Sequence, residues 1–434
     1  MKRTSWILAA GVASAGLLSA CAEPEIILAG DREDLFPSEE VIENKDLAIS
    51  LPSQSKNANW TGRIGSPSTR TAHAALSSKP VLAWSTSIGA GESRKTRITA
   101  DPVVADGRIF TVDAEATVTA TTTGGQTVWS RDLTPPNDKA GQASTGGLAY
   151  GKGKLFVTTG FGSIRALDPA TGADLWEQKF QAVGSGTPTV YGDLVYVVSG
   201  DATAWALEVE TGKIAWQLLS IPNVQNVQSP AEPAITDRLA IFPYGSGEIR
   251  AAFRRGGVSR WTAGLSDTRP GRAVNTVGDI SGDPVVVGDT IYVANHSGRM
   301  ASFDAETGVR KWTADHGALS PVFPAGGSLF LLSETNELLR LDARDGTRIW
   351  GQTLPQFIKD KPRKQSAVHA HYGPILAGGQ LVVPSTDEVV RFYNPRNGLL
   401  THTVELPHGA ATNPVVAGGV LYVVNRKGEL YAFR

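Results

Sequence analysis

The side chains able to do chemistry are few in this 434-residue chain, and they are scattered. There are seven histidines (His73, His296, His316, His369, His371, His402 and His408) and one cysteine, Cys21. His369 and His371 stand two apart, so on a strand both rings point to one face, as a surface metal pair would need. No second cysteine and no cluster of acids accompanies them, and a metal site there stays an open alternative to a structural role. There is no Gly-x-Ser-x-Gly elbow, no His-Glu-x-x-His helix and no phosphate loop ending in Gly-Lys-Ser/Thr. The carboxylates fall mostly in turn contexts, where they bond backbone, so no pair stands out as acid and base. The expectation is no catalytic residue, no metal and no cofactor.

Cys21 carries the clearest chemical signal. Lys2 and Arg3 precede an apolar run from Ile7 to Leu18, and small residues follow before the cysteine. That is the layout of a secretory leader, and the run is too short to span a bilayer comfortably. Leu18-Ser19-Ala20-Cys21 resembles a bacterial lipobox, which implies that Cys21 is lipidated and becomes the mature N-terminus. Several acyl chains at about 0.8 kcal/mol per buried CH₂ give durable anchoring. Ala22, where inner-membrane lipoproteins carry Asp, implies the outer membrane by the same resemblance. Losing the leader removes two positive charges and takes the formal net charge from −1 to −3. Residues 22–79 are rich in Ser, Pro, Glu, Asn and Thr and read as a flexible tether, with Asn59-Trp60 and His73 as points that could dock on the body.

The elements that would position any site are strands. With 47 Gly and 25 Pro the chain is no helical bundle, and 41% hydrophobic residues exclude global disorder. Lys+Arg at 41 against Asp+Glu at 42 argues against a phosphate-held nucleic-acid binder. From about residue 80 one unit recurs. Pro284-Val285-Val286-Val287-Gly288-Asp289 leads to Ile291-Tyr292-Val293-Ala294. Then come Gly298, the strand Met300 to Asp304, the turn Glu306-Thr307-Gly308, and Trp312. Asp168, Glu208, Asp304, Asp342 and Asn394 stand four residues before a turn glycine (Gly172, Gly212, Gly308, Gly346 and Gly398). An acceptor there can bond backbone N–H groups two residues on.

Trp84, Trp129, Trp176, Trp216, Trp261, Trp312 and Trp350 are spaced 38 to 51 residues apart, the period of a four-stranded blade. In the seventh unit His402 takes the Trp position and reads as structural. First strands begin near Pro102, Gly147, Pro188, Pro233, Pro284, Pro321, Pro374 and Pro414, which makes eight units. The eighth ends at Arg434 without a Trp-bearing strand, whereas Val81 to Ile88 is such a strand with no unit before it. The reading is an all-β, eight-bladed propeller over residues 80–434, closed by the N-terminal strand joining the last blade. Each Trp is expected to pack between blades with its indole N–H on backbone. Ala120, Ala166, Ala206, Ala252 and Ala432 read as small packing residues on third strands.

The repeat, Pro-Val-Val-x-Gly-x-x-(Ile/Leu)-Tyr-Val followed by Ala-x-Asp, Thr-Gly and Trp, resembles the repeats of pyrroloquinoline-quinone dehydrogenases. That resemblance carries the alternative of a quinone-dependent periplasmic oxidoreductase. Those enzymes commonly hold adjacent cysteines, calcium ligands and an aspartate base on a longer chain, and this chain has no spare cysteine. The same repeats behind a lipobox and a short linker resemble the BamB lipoproteins of the outer-membrane β-barrel assembly machinery. This resemblance implies a non-enzymatic scaffold that binds the periplasmic domains of the core barrel subunit and nascent outer-membrane proteins. It also implies a contact surface on the links Asn223 to Glu232 and Ala273 to Asp283. The candidate partner-binding residues are Asn226, Val227, Gln228, Arg269, Arg272 and Asp279. Val227 and Gln228 stand where the family has Leu-Arg, and Ser281 where it has a second aspartate. Loss of an arginine changes the charge pairing.

Overall fold

Short β-branched and aromatic runs separated by Gly-Asp, Gly-Gly and Asp-x-x-x-Gly turns fold back on one another, giving 32 strands among the described residues. The computed structural model describes residues 43–68, 73–180, 182–184, 186–221, 231–265 and 278–434. Among these residues there are eight four-stranded antiparallel sheets, arranged as a β-propeller, and one 3₁₀ turn at Pro362–Lys364. We number the blades in chain order from the innermost strand Val103–Ala105. Blade 5 is representative: Gly282–Val287, Thr290–Ala294, Met300–Asp304 and Arg310–Ala314 lie side by side in chain order. The inner strand Val103–Ala105 is buried throughout, while outer strands such as Thr127–Asp132 expose alternate residues.

The ring closes as the repeat count requires. Leu82–Ser87 supplies the fourth strand of blade 8, with Trp84 opposite Ala432 and Ser85 opposite Tyr431. Val81 and Arg434 exchange two backbone hydrogen bonds of 2.9 Å.

The tryptophans join blade to blade in one geometry. Trp129 sits opposite Ala120, Trp176 opposite Ala166 and Trp216 opposite Ala206, so a small third-strand residue leaves room for each ring. In blade 4 the facing residue is Ala251, not Ala252, which pairs with Ser259. Each indole reaches the next blade and donates to a turn carbonyl: Trp84 to Thr123, Trp129 to Pro169, Trp176 to Val209, Trp216 to Arg254, Trp261 to Ala305, Trp312 to Ala343 and Trp350 to Pro395, all at 2.9–3.2 Å. The turn glycine beneath the ring is obligatory. A Cβ on Gly398, which has φ +72°, would lie 2.7 Å from Trp350 Cε3. Asp168, Asp304, Asp342 and Asn394 bond the N–H two residues on, as the turn chemistry predicts.

The seam explains His402. The next blade is blade 8, whose third and fourth strands come from opposite chain ends, so no closing turn exists there to receive an indole. His402 instead stacks on Phe392 at 4.1 Å between centroids, and burial, with Lys79 nearby, lowers its pKa.

The described part of the expected tether is bound to the body. Residues 43–68 and 73–79 pack on the propeller. Trp60 exchanges hydrogen bonds of 2.7 and 2.8 Å with Val104 of blade 1, and Thr61 accepts from Tyr150 of blade 2. Pro67 accepts from Ile235 of blade 4, Ser68 from Val286 of blade 5, and Asn57 from Gly418 after the inner strand of blade 8. Ala74 pairs with Leu376 and Gly378 of blade 7. His73 accepts from Gly379 N–H through Nε2, so Nδ1–H donates to Pro52 O. An innermost strand has an unpaired edge facing the axis, and this segment satisfies those edges one blade after another. It forms an inner belt, and its backbone hydrogen bonding is why the expected boundary at residue 79 moves to residue 43 for the described chain.

Candidate functional site

In an antiparallel four-strand meander, the start of the inner strand and the end of the outer strand lie on one side. All links from blade to blade therefore leave one face of the ring, and the belt hydrogen-bonds toward the other ends of the inner strands. The links between blades 3 and 4 and between blades 4 and 5, which the sequence singled out, share the link face. Asn226, Val227, Gln228, Arg269 and Arg272 fall outside the described residues. Asp279 is described. It is 4% exposed, and its Oδ1 lies 2.6 Å from His296 Nδ1. Asp279 thus pins the base of the link to the turn after the second strand of blade 5, rather than standing on the surface. Ser281 is equally buried and donates to Ala318 O at 2.9 Å.

The axis carries a charged cluster that the motif search did not single out. Arg63, from the belt, reaches inward. Its Nε lies 3.3 Å from Asp101 and 3.2 Å from Asp283, carboxylates of blades 1 and 5. Glu232, entering blade 4, completes the group. Its oxygens accept from Ile64 N–H at 3.3 Å and face Thr189 Oγ1 at 3.2 Å, while its own N–H donates to Asp283 at 2.6 Å. Asn413 of blade 8 donates twice to Asp101 at 2.8 Å. Burial alone would lower the pKa of Arg63, but Asp283, Asp101 and Glu232 outweigh it and raise it. Burial, then the neighbouring Asp283, raises the Glu232 carboxyl well above the usual range, against the pull of Arg63. Sequence did carry a signal for this group. Asp101, Glu232, Asp283 and Asn413 each directly precede the proline that opens an inner strand. That repeat position points at the axis.

Above Arg63, on the link face, lies a cavity of about 340 Å³ lined by Asp101, Thr187, His371, Tyr372 and Asn413. The axial acids are engaged by a guanidinium and by N–H donors. The donor set is that of an arginine site, and it does not fit a metal-held redox group. His371 is likewise engaged, with Nδ1 2.6 Å from Ser385 Oγ and Nε2 2.9 Å from Pro355 O. Burial lowers its pKa, against the Pro355 carbonyl. His369 lies 3.4 Å from Thr386 Oγ1 through Nδ1. The two rings do not act as a pair on a common ligand.

BamB of Shewanella oneidensis is 24% identical over 361 residues, covering 81% of this chain and 88% of that protein. BamB of Escherichia coli is 22% identical over the same length and coverage. The crystal structure of BamB from Moraxella catarrhalis superposes with a TM-score of 0.66 at 19% identity, over 82% of this chain and all of that one. Quinohemoprotein alcohol dehydrogenase from Comamonas testosteroni also reaches 0.66, at 15% identity, over 87% of this chain and 81% of its own, which shows a shared fold. The profile of the outer membrane protein assembly factor BamB matches residues 114–352 and 320–434, so the chain belongs to the BamB family.

Proposed function

We propose that this chain is a periplasm-facing lipoprotein, anchored through acylated Cys21, that docks the periplasmic domains of the core barrel subunit through the links at 222–230 and 266–277. By family the chain is an outer-membrane assembly factor and not an enzyme. The carrying observation is that these links leave the same face of neighbouring blades, and that both rejoin the ring at buried, bonded acids, Glu232 and Asp279. A rigid base holds a loop in place without further ordering cost, which favours docking. A membrane tether raises the effective concentration, so a modest interface suffices. Nascent outer-membrane proteins are a second class of partner. Outer strands such as Leu400–Glu405 carry an unpaired edge and exposed Leu399 and Leu400, to which an extended client can add.

The test uses residues of the links themselves. Val227→Glu with Gln228→Glu, and separately Arg269→Glu with Arg272→Glu, should abolish co-purification with the core subunit from detergent-solubilised membranes while thermal unfolding is unchanged. Full retention by both double variants would refute docking through these links. Acylation is tested apart from docking, by the mass of the mature N-terminus and by release of Cys21→Ala from the membrane fraction.

A further inference from the structure

We infer that the hairpin linking blades 6 and 7 is a second, lipid-facing contact that lies on an anionic phospholipid surface. The link from Leu354 to Gly373 folds back on itself. Phe357 bridges Val368, Ile358 N–H donates to Ala367 O, and His369 N–H donates to Gln356 O. The 3₁₀ turn Pro362–Lys364 forms its tip. Lys359, Lys361, Arg363 and Lys364 are all exposed there with a single acid, Asp360, among them, a local charge of +3 in a chain whose formal total is −1. Among the described residues none of the four is paired with a carboxylate. Ile358 and Val368 are each 53% exposed beside them. Cations flanking exposed aliphatic side chains suit a charged interface with an apolar layer beneath it, where the ammonium groups meet phosphates and the aliphatic groups enter the acyl boundary. An acidic protein surface would use the cations and leave the aliphatic residues in water.

The position of the hairpin agrees. Lys45 N–H donates to Ile349 O, and the Asn44 side chain makes two bonds to Gly351, so residues 44–45 run antiparallel to the outer strand of blade 6. Toward Glu43 the chain therefore heads for the end of that strand, where the hairpin begins at Leu354. The 21 residues between Cys21 and Glu43 make 22 Cα-to-Cα steps, each of at most about 3.5 Å. An acyl anchor at Cys21 thus keeps this rim within roughly 80 Å of the bilayer. This second argument rests on the acylation proposed above; the charge and exposure of the hairpin do not.

The test uses the mature chain carrying Cys21→Ser, purified without lipid, so that its outcome is independent of acylation. It is mixed with vesicles of phosphatidylcholine alone or with one-third phosphatidylglycerol, and bound protein is read by flotation. The chain should float with the anionic vesicles at low salt, and not with the neutral vesicles or at high salt. Each basic residue reversed should cost roughly fivefold or more in partition, the factor for about 1 kcal/mol per charge near the surface. The Lys359→Glu, Lys361→Glu, Arg363→Glu, Lys364→Glu variant should not float. Ile358→Ser should weaken flotation while leaving its salt dependence in place. Equal flotation of the quadruple variant and the unaltered chain would overturn the proposal. So would capture of the unaltered chain by immobilised polyglutamate with no flotation on anionic vesicles, which would assign the hairpin to an acidic protein.

Discussion

Replacing Arg63 by methionine removes one guanidinium from the axis and keeps most of the stem. Asp101, Asp283 and Glu232 would then share a buried site with no cation among them. Breaking a buried charge pair by removing one partner typically costs about 3–5 kcal/mol, because the remaining charge keeps its desolvation penalty. For about 365 described residues at about 2.1 cal/mol/K each, the entropy of unfolding is about 0.8 kcal/mol/K, so the melting temperature should fall by about 4–6 °C. Arg63→Lys keeps the charge without the planar fork and should fall between. The belt should loosen first, since Arg63 is its inward anchor. Limited proteolysis should cut within residues 43–68 well below the melting temperature in Arg63→Met, and not in the parent. Adding Glu232→Gln should recover part of the loss, with a coupling of about 0.5–3 kcal/mol for groups in one network. An Arg63→Met protein that melts within about 1 °C of the parent, with an uncut belt, would refute the view that this cluster locks the segment to the ring.

Other outcomes follow from the same contacts. Glu232 has a folded pKa above its unfolded one, so the folded state holds its proton more tightly. Its contribution is fully present below the unfolded carboxyl range and is lost as pH rises through the raised value. Melting scans from pH 5 to 8 should therefore show Glu232→Gln flatter than the parent and more stable at the alkaline end. Trp350, fully buried, should cost about 3–5 kcal/mol on truncation to alanine, measured by urea unfolding. His402→Trp should stabilise nothing, because no turn of blade 8 awaits the indole; a higher melting temperature would show otherwise.

The ring was legible because its determinants repeat. Tryptophan spacing, turn glycines and the odd strand around Trp84 specify blade number and closure, and each depends on a side chain that packing or φ > 0 makes irreplaceable. The belt was not legible, since it binds through backbone groups that any residue supplies; only Trp60 and His73 marked it. The axial cluster lay between these cases. Asp101, Glu232 and Asp283 occupy one repeat position before proline, but acids in turns are common, and only Arg63, distant in sequence, gives them a shared meaning. Asp279 was legible as a member of the link between blades 4 and 5, yet its side chain turns inward to His296, which the sequence pattern does not reveal.

These features tie the anchor segment to the ring. The belt satisfies the inner edges from one side, and Arg63 ties it to carboxylates drawn from blades 1, 4 and 5, so the segment that leads toward Cys21 is fixed to the ring at both its rim and its centre. A pull on the tether is then borne by the whole disc and not by one strand. Glu232 serves two tasks at once: it closes the axial cluster and ends the link at 222–230. A change at the axis should therefore be felt at that link. Arg63→Met should weaken core-subunit docking through both links, since the one at 222–230 ends at Glu232 and the one at 266–277 rejoins the ring just before Asp283, which Arg63 contacts directly. Undiminished docking by Arg63→Met well below its melting temperature would mean that the axis acts only through overall stability.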